Sequence, residues 1–303
     1  MQFEWESGER RRWCSIPMEE LADHPQRKIG RVIIEQTPAD VMKLVGNMMA
    51  DEVAENNRRG EITRWVLPAG PRQQYETFVE RVVRDRISLK NLHVFHMDEW
   101  LDWNGRPYPY GNHHACLRGI MDHLFYEKLP AELTVPESQR VWPNLSDLDE
   151  LDRRIEQIGG VDTVWAGVGF KGLVAFNEAP RDTYYPITAD EYARSKTRVV
   201  KITDETIVTQ SHRRWGGNTD LVPPMALTIG FQSMLNTQRV VFMIATGAWK
   251  QTVVRVLLFS GETLEYPATL MTNRVANCVL AMDRFTATHP LESYEKSMLQ
   301  EGW

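Results

Sequence analysis

RVIIEQTPADVMKLVGNMMADEVAENNRRGEITRWVL, residues 31–67, contains a complete strand–helix–strand pattern and sets the fold class. Val32, Ile33 and Ile34 make a short apolar run, and Thr37-Pro38 opens a helix. The Thr37 hydroxyl is suited to cap it, and Pro38 fits the first helical position, where no N–H is needed. Val41, Leu44, Val45, Met48, Met49 and Val53 then recur at helical spacing until Arg58-Arg59-Gly60 ends the run. Residues 62–67 return to a strand.

The same alternation continues outward. Helices are predicted over 71–87, 111–127, 147–158 and 248–259, with strands over 92–97, 161–168, 198–202, 226–229, 240–245 and 278–282. Apolar strands alternating with amphipathic helices indicate an α/β fold with a mainly parallel sheet covered on both faces. Residues 1–29, with Glu9-Arg10-Arg11-Arg12 and little periodicity, read as an N-terminal arm. Residues 30–303 read as a single domain, since no linker divides them.

Composition excludes several functions. A hydrophobic content of 42% in 303 residues is too high for a disordered chain. The net charge of −6 argues against bulk electrostatic binding to nucleic acid or anionic lipid. Cys14, Cys116 and Cys278 are too few and too widely spaced for a disulfide framework or a zinc-ligand pair. No apolar run reaches the ~18 residues of a membrane span, and the first residues do not read as a signal peptide. The expectation is a cytoplasmic protein that engages neither membrane nor nucleic acid. Ten tryptophans are the unusual count.

In such folds ligands bind beyond the carboxyl ends of the strands, so the loops at 67–72, 97–112 and 167–180 are of most interest. His96-Met97-Asp98-Glu99-Trp100 closes a buried strand with two consecutive carboxylates. A partly buried carboxylate there suits a general base; alternatively, Asp98 or Glu99 caps backbone N–H groups of the next segment. His96, Asp98, His113 and His114 are of the types that ligate zinc or manganese, but they lack a tight ligand spacing. Gly167-Val168-Gly169-Phe170-Lys171-Gly172 follows a strand, and its glycines allow close backbone approach to a ligand. Asn177-Glu178 and Pro180 stop any long helix after it, which argues against a dinucleotide site.

The chain resembles the glucosamine-6-phosphate deaminase (isomerase) family. Phe95-His96-Met97-Asp98-Glu99-Trp100, the glycine loop ending Ala175-Phe176-Asn177-Glu178, Thr197-Arg198-Val199-Val200, Val222-Pro223 and Ala226-Leu227-Thr228-Ile229-Gly230 occur in family order across residues 30–285. The Ala-Phe-Asn-Glu ending separates this family from the related 6-phosphogluconolactonases. The resemblance implies a Rossmann-like three-layer α/β/α domain, a sugar-phosphate substrate, no metal or organic cofactor, and a homo-oligomer. It implies aldose–ketose isomerisation of an amino sugar phosphate with loss of ammonia, in which a carboxylate moves a proton between C2 and C1. Asp98 matches that base, Glu178 the acid supporting a ring-opening His, and Arg198 a phosphate-binding arginine.

The chain also departs from the family pattern. Where the family has Asp-Gly-His, this sequence has Lys171-Gly172-Leu173, so the ring-opening His is replaced by a side chain with no proton to give. The family's Thr-Gly-Gly-Thr-Pro phosphate turn appears as Leu67-Pro68-Ala69-Gly70-Pro71-Arg72, and Pro224 stands where the resemblance places a phosphate-binding Lys. The sequence therefore predicts retained proton transfer, weakened phosphate recognition and an altered substrate. Asp98, Glu178 and Lys171 are the predicted catalytic set. Arg198, Arg72, Gly70, Gly167, Gly169, Gly172, Glu99 and Trp100 are the predicted substrate-binding set. Asp98, Glu178 and Arg198 are expected in one pocket, with Trp100, Trp103 and Trp215 as an apolar wall. Lys250 reads as a solvated first-turn lysine, and Arg213-Arg214 before Gly216-Gly217 as a lid or an oligomer contact. The alternatives consistent with the sequence are a non-catalytic sugar-binding or regulatory protein on the same fold, or a conventional glucosamine-6-phosphate deaminase.

Overall fold

A computed structural model describes residues 2–293, with side chains from residue 8 onward; residues 294–303 of the expected domain lie outside the described residues. The elements in chain order begin with α1 (Gln2–Ser15), β1 (Arg31–Glu35), α2 (Pro38–Arg59), β2 (Thr63–Leu67), α3 (Gln74–Arg84), β3 (Leu92–His96) and β4 (Asp98–Leu101). Next come α4 (Leu117–Leu124), β5 (Arg140–Val141), α5 (Glu150–Gln157), β6 (Val161–Gly167), α6 (Ala189–Ala193), β7 (Arg198–Lys201) and α7 (Asp204–Arg214). The chain ends with β8 (Met225–Thr228), α8 (Phe231–Leu235), β9 (Thr237–Ile244), α9 (Gln251–Phe259), α10 (Thr269–Arg274), β10 (Cys278–Asp283) and α11 (Arg284–Ala287).

The local chemistry read from the sequence forms as expected in α2. Thr37 accepts from the Asp40 N–H while the Asp40 side chain reaches back, and Gly60 ends the helix in the left-handed region at φ 71°. Seven parallel strands then assemble in the order β1-β10-β9-β6-β2-β3-β5, giving the α/β fold. The strand order reverses at the centre. From β2 the chain builds outward through β3 and β5, then returns to place β6 on the other side of β2. Such a reversal opens a crevice at the strand carboxyl ends. Trp65 of β2 and Trp165 of β6 fill the centre below it, fully buried and edge-to-face at 5.6 Å.

Two features differ from the sequence reading. Residues 98–101, read as a loop, form β4, which pairs antiparallel with β8; β8 in turn pairs with β7 in a separate three-stranded sheet. All four residues of β4 are buried, so no polar–apolar alternation marks it as a strand. The N-terminal arm is helical over α1, which packs along α9 with the Trp13 ring 6.5 Å from Phe259, and Leu21 and Ile29 beyond it are fully buried.

α2 and α3 pack tightly because Gly46 lacks a side chain. A Cβ there would lie 2.6 Å from the Gln74 carbonyl oxygen and 2.8 Å from Thr77 Cβ. The Gly46→Ala variant should lose about 1–3 kcal/mol of stability through overpacking, read as a lower urea-unfolding midpoint, and an unchanged midpoint would contradict this packing.

Candidate active site

β2, β3, β6 and β9 all end at one side of the sheet, and the loops leaving them enclose a cavity of about 680 Å³. The two central loops meet without space between them. A Cβ on Gly167 would fall 2.5 Å from Pro71 Cδ and 2.8 Å from the Gly70 carbonyl oxygen. Glycine at the end of β6 is therefore what lets the β2 loop close over the sheet.

Asp98 reaches the cavity because the chain changes sheets there. Met97 donates its N–H to Leu67 O at 3.0 Å and its carbonyl accepts from Ile229 N at 2.8 Å, and the next residue starts β4. The Asp98 side chain lines the cavity, is 8% exposed, and accepts no hydrogen bond among the described residues. Burial, with the neighbouring Glu99 charge adding to it, pushes its carboxyl up to about 8. Glu99 faces away, in keeping with strand alternation. It accepts from the backbone N–H of Trp100, Leu117 and Arg118 at 2.9, 2.6 and 2.9 Å, capping the start of α4. Glu99 thus takes the capping role and does not line the cavity. Its carboxyl is raised by burial, against the pull of those three N–H groups.

Gly70, Arg72, Gly167, Gly169 and Trp100 also line the cavity. Trp100 is 2% exposed and packs on Phe176 at 4.2 Å. Trp103 is 82% exposed, and neither it nor Trp215 lines the cavity; the second indole in its wall is Trp249. Gly172 lies outside, at φ 70°, with its carbonyl accepting from Ala268 N at 2.8 Å.

The remaining predicted residues do not line the cavity that Asp98 faces. Lys171 and Glu178 line a smaller cavity of about 80 Å³, whose wall shares Leu173 with the main one. Lys171 is half-exposed and paired with Glu265 at 2.9 Å, the ion-pair outcome for a surface lysine. Glu178 accepts from Thr203 N at 2.8 Å through Oε2, while its buried Oε1 has no hydrogen-bond partner. Burial raises its carboxyl, against the opposing pull of the neighbouring Thr206 and Thr203. Arg198 lies on β7 and lines neither cavity. Its guanidinium donates to Lys196 O at 3.2 Å and Tyr192 Oη at 3.3 Å. Asp98 and Arg198 flank Thr228 from opposite sides of β8 in the same antiparallel sheet, but the Arg198 guanidinium is held by Lys196 O and Tyr192 Oη outside the cavity, and Leu173 stands at the boundary between Asp98's cavity and Glu178.

The cations of the cavity come from elsewhere. Lys250 is 5% exposed, not solvated, and its ammonium faces the cavity 4.3 Å from the Trp249 ring centroid. The Arg213 guanidinium lies over the same ring at 4.5 Å, with Arg214 beside it at the mouth and Lys43 at the rim. Among the described residues none of Lys250, Arg213, Arg214 or Arg72 has a carboxylate partner. Burial, and then the Arg213 charge, push the Lys250 ammonium well below its ordinary range. Burial, and then Arg214, lower the Arg72 guanidinium to about 10. The signal for Lys250 was in the sequence: Thr246-Gly247-Ala248-Trp249-Lys250 leaves the strongly apolar β9 at the same strand ends as the other loops. A buried lysine and three arginines with no counter-ion, facing a cavity whose one buried carboxyl is Asp98, suit an anionic ligand.

His96 is remote from this chemistry. Its ring is fully buried, stacked on Trp142 at 3.6 Å and bonded to Tyr126 Oη at 2.8 Å. Among the described residues no three His, Cys, Asp or Glu side chains converge to hold a metal ion, and no helix is long and apolar enough to cross a membrane.

No family model matches the chain. It is 26% identical over 226 residues to a glucosamine-6-phosphate deaminase of Caenorhabditis elegans, covering 73% of this chain and 77% of that protein. Identity is 24% over 247 residues to a glucosamine-6-phosphate deaminase of Thermoanaerobacter sp. (strain X514), covering 80% and 88%. Among solved structures, a monomeric glucosamine-6-phosphate deaminase superposes with a TM-score of 0.68 at 22% identity, covering 84% of this chain and 98% of that one. A 6-phosphogluconolactonase from Trypanosoma cruzi gives 0.62 at 15% identity, covering 87% and 98%. These structural likenesses establish the shared fold.

An anion entering the cavity restores the Lys250 ammonium, so binding takes up a proton. Affinity should then be highest at low pH and decline as pH rises past the depressed Lys250 value. Calorimetric titration with sulfate, which does not titrate near neutrality, in two buffers of different ionisation enthalpy reads this directly. Lys250→Met should abolish the proton uptake, and uptake that persists in that variant would remove Lys250 from the anion site.

Proposed function

We propose that this chain, which is similar in sequence to glucosamine-6-phosphate deaminases, isomerises an open-chain sugar or amino-sugar phosphate, with a substrate altered from glucosamine 6-phosphate. The observation that carries this reading is Asp98, a buried carboxyl without a hydrogen-bond partner facing a cavity lined by Arg72, Arg213, Arg214 and Lys250. A base near neutrality is what proton removal next to a carbonyl requires. Asp98 takes the proton from C2 of the open-chain aldose, the electrons pass to the carbonyl as an enediol or enolamine, and the proton returns at C1 to give the ketose. Where C2 carries an amine, the same step leads to an imine that water hydrolyses with release of ammonia. The cations supply the electrostatic attraction for the substrate's phosphate.

Leu173 supports the open-chain requirement. Its side chain packs over Gly169, where a Cβ would meet Leu173 Cγ at 2.3 Å, and no proton donor takes its place between the main cavity and Glu178. Glu178 and Lys171 therefore act, in this reading, at the boundary of the site and not on C1 or C2. The cation set favours a phosphorylated substrate over a neutral sugar, which revises the expectation of a weakened phosphate site.

Incubation with sugar phosphates in deuterated water tests the proposal: deuterium appearing at C1 of a ketose product supports it, whereas binding without exchange for every aldose phosphate favours a non-catalytic sugar-binding protein. Asp98→Asn should lower kcat by roughly 10²–10⁴-fold with sugar-phosphate affinity retained. Since the base works ionised and its carboxyl sits at about 8, kcat at saturating substrate, where the pH dependence of anion affinity drops out, should rise with pH through the range in which that carboxyl ionises and then level. A profile that falls over the same interval would reverse the assignment from base to acid.

Leu173→His places an imidazole beside the unpartnered Glu178 Oε1. This variant should turn over the ring form of glucosamine 6-phosphate about tenfold or more faster than the parent. Equal rates would show that ring opening does not limit the parent protein.

A further inference from the structure

Ala175, between the glycine loop and Phe176, has φ 53°, in the left-handed region that a Cβ disfavours. Such a conformation persists where surrounding contacts fix it, and strained backbone of this kind gathers at functional sites. The contacts here come from the end of β8. Thr228 is fully buried, and its Oγ1 accepts from Phe176 N at 3.0 Å and donates to Ile229 O at 3.4 Å. Asn177 Nδ2 donates to the same Ile229 O at 2.8 Å. Phe176 and Asn177, the two residues after the strained one, are thus both tied to β8.

Thr228 is also the residue opposite Asp98. The two are register partners in the β4–β8 pairing, so their side chains share one face of the small sheet. Trp100 lies two residues along β4 on that same face, opposite Ala226, and the Phe176 ring packs on it at 4.2 Å. Asp98, Trp100, Ala175 and Phe176 all line the main cavity. The Thr228 hydroxyl is engaged by Phe176 N and Ile229 O and makes no bond to Asp98. What it fixes is the aromatic wall beside the carboxyl.

We propose that Thr228 is a positioning residue for Asp98: its hydroxyl holds Phe176 against Trp100, so that the two rings keep water from the carboxyl. The inference rests on the reading of Asp98 as the base and adds the residue that sets its strength. A carboxyl beside an apolar wall holds its proton to higher pH than one in water, and a general base works best when it ionises near the working pH. The charged neighbours of Asp98 are Glu99 on its own strand, Arg198 across β8, and the cavity cations Arg72, Arg213, Arg214 and Lys250. Lys43 and Glu76 stand at the rim. None of these is altered in the variants below, so a shift in the Asp98 titration reads the entry of water.

The ionisation of Asp98 is read on the full chain from the carboxyl resonances of 13C-labelled aspartate, assigned by the signal missing in Asp98→Asn. Thr228→Val removes the hydroxyl and leaves the Phe176 N–H without its acceptor. The Asp98 midpoint should then fall by about one unit or more toward the ordinary carboxylate range. Thr228→Ser keeps the hydroxyl and should leave the midpoint in place. Phe176→Ala removes the ring without touching β8 and should reproduce the fall, which keeps the test decisive if Thr228→Val does not fold. In turnover, the rise of kcat with pH should move down in Thr228→Val by the same interval. A folded Thr228→Val that melts lower but titrates like the parent shows a merely structural hydroxyl and overturns the proposal. An equal fall in Thr228→Ser, or no fall in Phe176→Ala, overturns it as well. If the midpoints move as stated while no sugar phosphate is turned over, the positioning of the carboxyl stands and the isomerase reading fails.

Discussion

The site depends on the missing side chain at Gly167. β2 and β6 lie side by side where the strand order reverses, and the loop from β2 crosses the end of β6 so closely that a Cβ would meet Pro71 at 2.5 Å. That contact places Arg72 over the strand ends and brings Gly70 and Gly169 into one cavity wall. Trp65 and Trp165 beneath it are rigid, fully buried and mutually perpendicular, so the floor does not give way. A residue with any side chain at 167 forces the loop away from the sheet and takes the first cation of the site with it.

The second constraint is electrostatic. Burying a carboxyl and an ammonium without ionic partners disfavours the charged form of each, and here both shift toward neutrality. For Asp98 the folded state holds its proton up to about 8, whereas the unfolded chain releases it near 4. Between those values the folded state binds more protons, so Asp98 lowers stability progressively as pH rises, and the loss is complete above the upper value. Under the proposed function a substrate anion changes this balance for Lys250, because its charge supplies the partner that the protein omits. The protein thus gives up stability in the empty cavity to have charged groups that are satisfied only when it is filled.

The fold was largely legible because periodicity reports on it directly. The 31–67 stretch carries its own cap, helical apolar spacing and glycine stop, and α2 forms between those signals. β4 was not legible, since a short strand buried on both faces shows no alternation. The Ala-Phe-Asn-Glu ending was legible as a motif but not for its reason. Asn177 is fully buried and donates to both Val174 O and Ile229 O, while Phe176 N donates to Thr228 Oγ1. These bonds tie the glycine loop to the end of β8, so much of the motif is a structural joint between the two sheets. Asp98 could be chosen over Glu99 only once the capping bonds of Glu99 were seen. Lys250 and Arg213 were missed for a related reason: a lysine at a helix start reads as solvated until the tertiary fold closes a cavity around it.

Leu173 is where these threads meet. Its side chain fills the space over Gly169 and forms part of the wall of both the main cavity and the small one holding Glu178. With an apolar residue there, Glu178 has nothing to orient, and one of its buried oxygens is left without a partner. Lys171, two residues earlier, is drawn outward by Glu265, over the Tyr266 ring at 5.4 Å. The two substitutions that distinguish this glycine loop therefore act in the same direction. One removes the proton donor from the cavity wall, and the other turns the neighbouring charge toward the surface. What remains facing the cavity is one buried carboxyl among cations, with Glu76 exposed at the rim, and this arrangement is the basis of the proposed proton transfer on an open anionic chain.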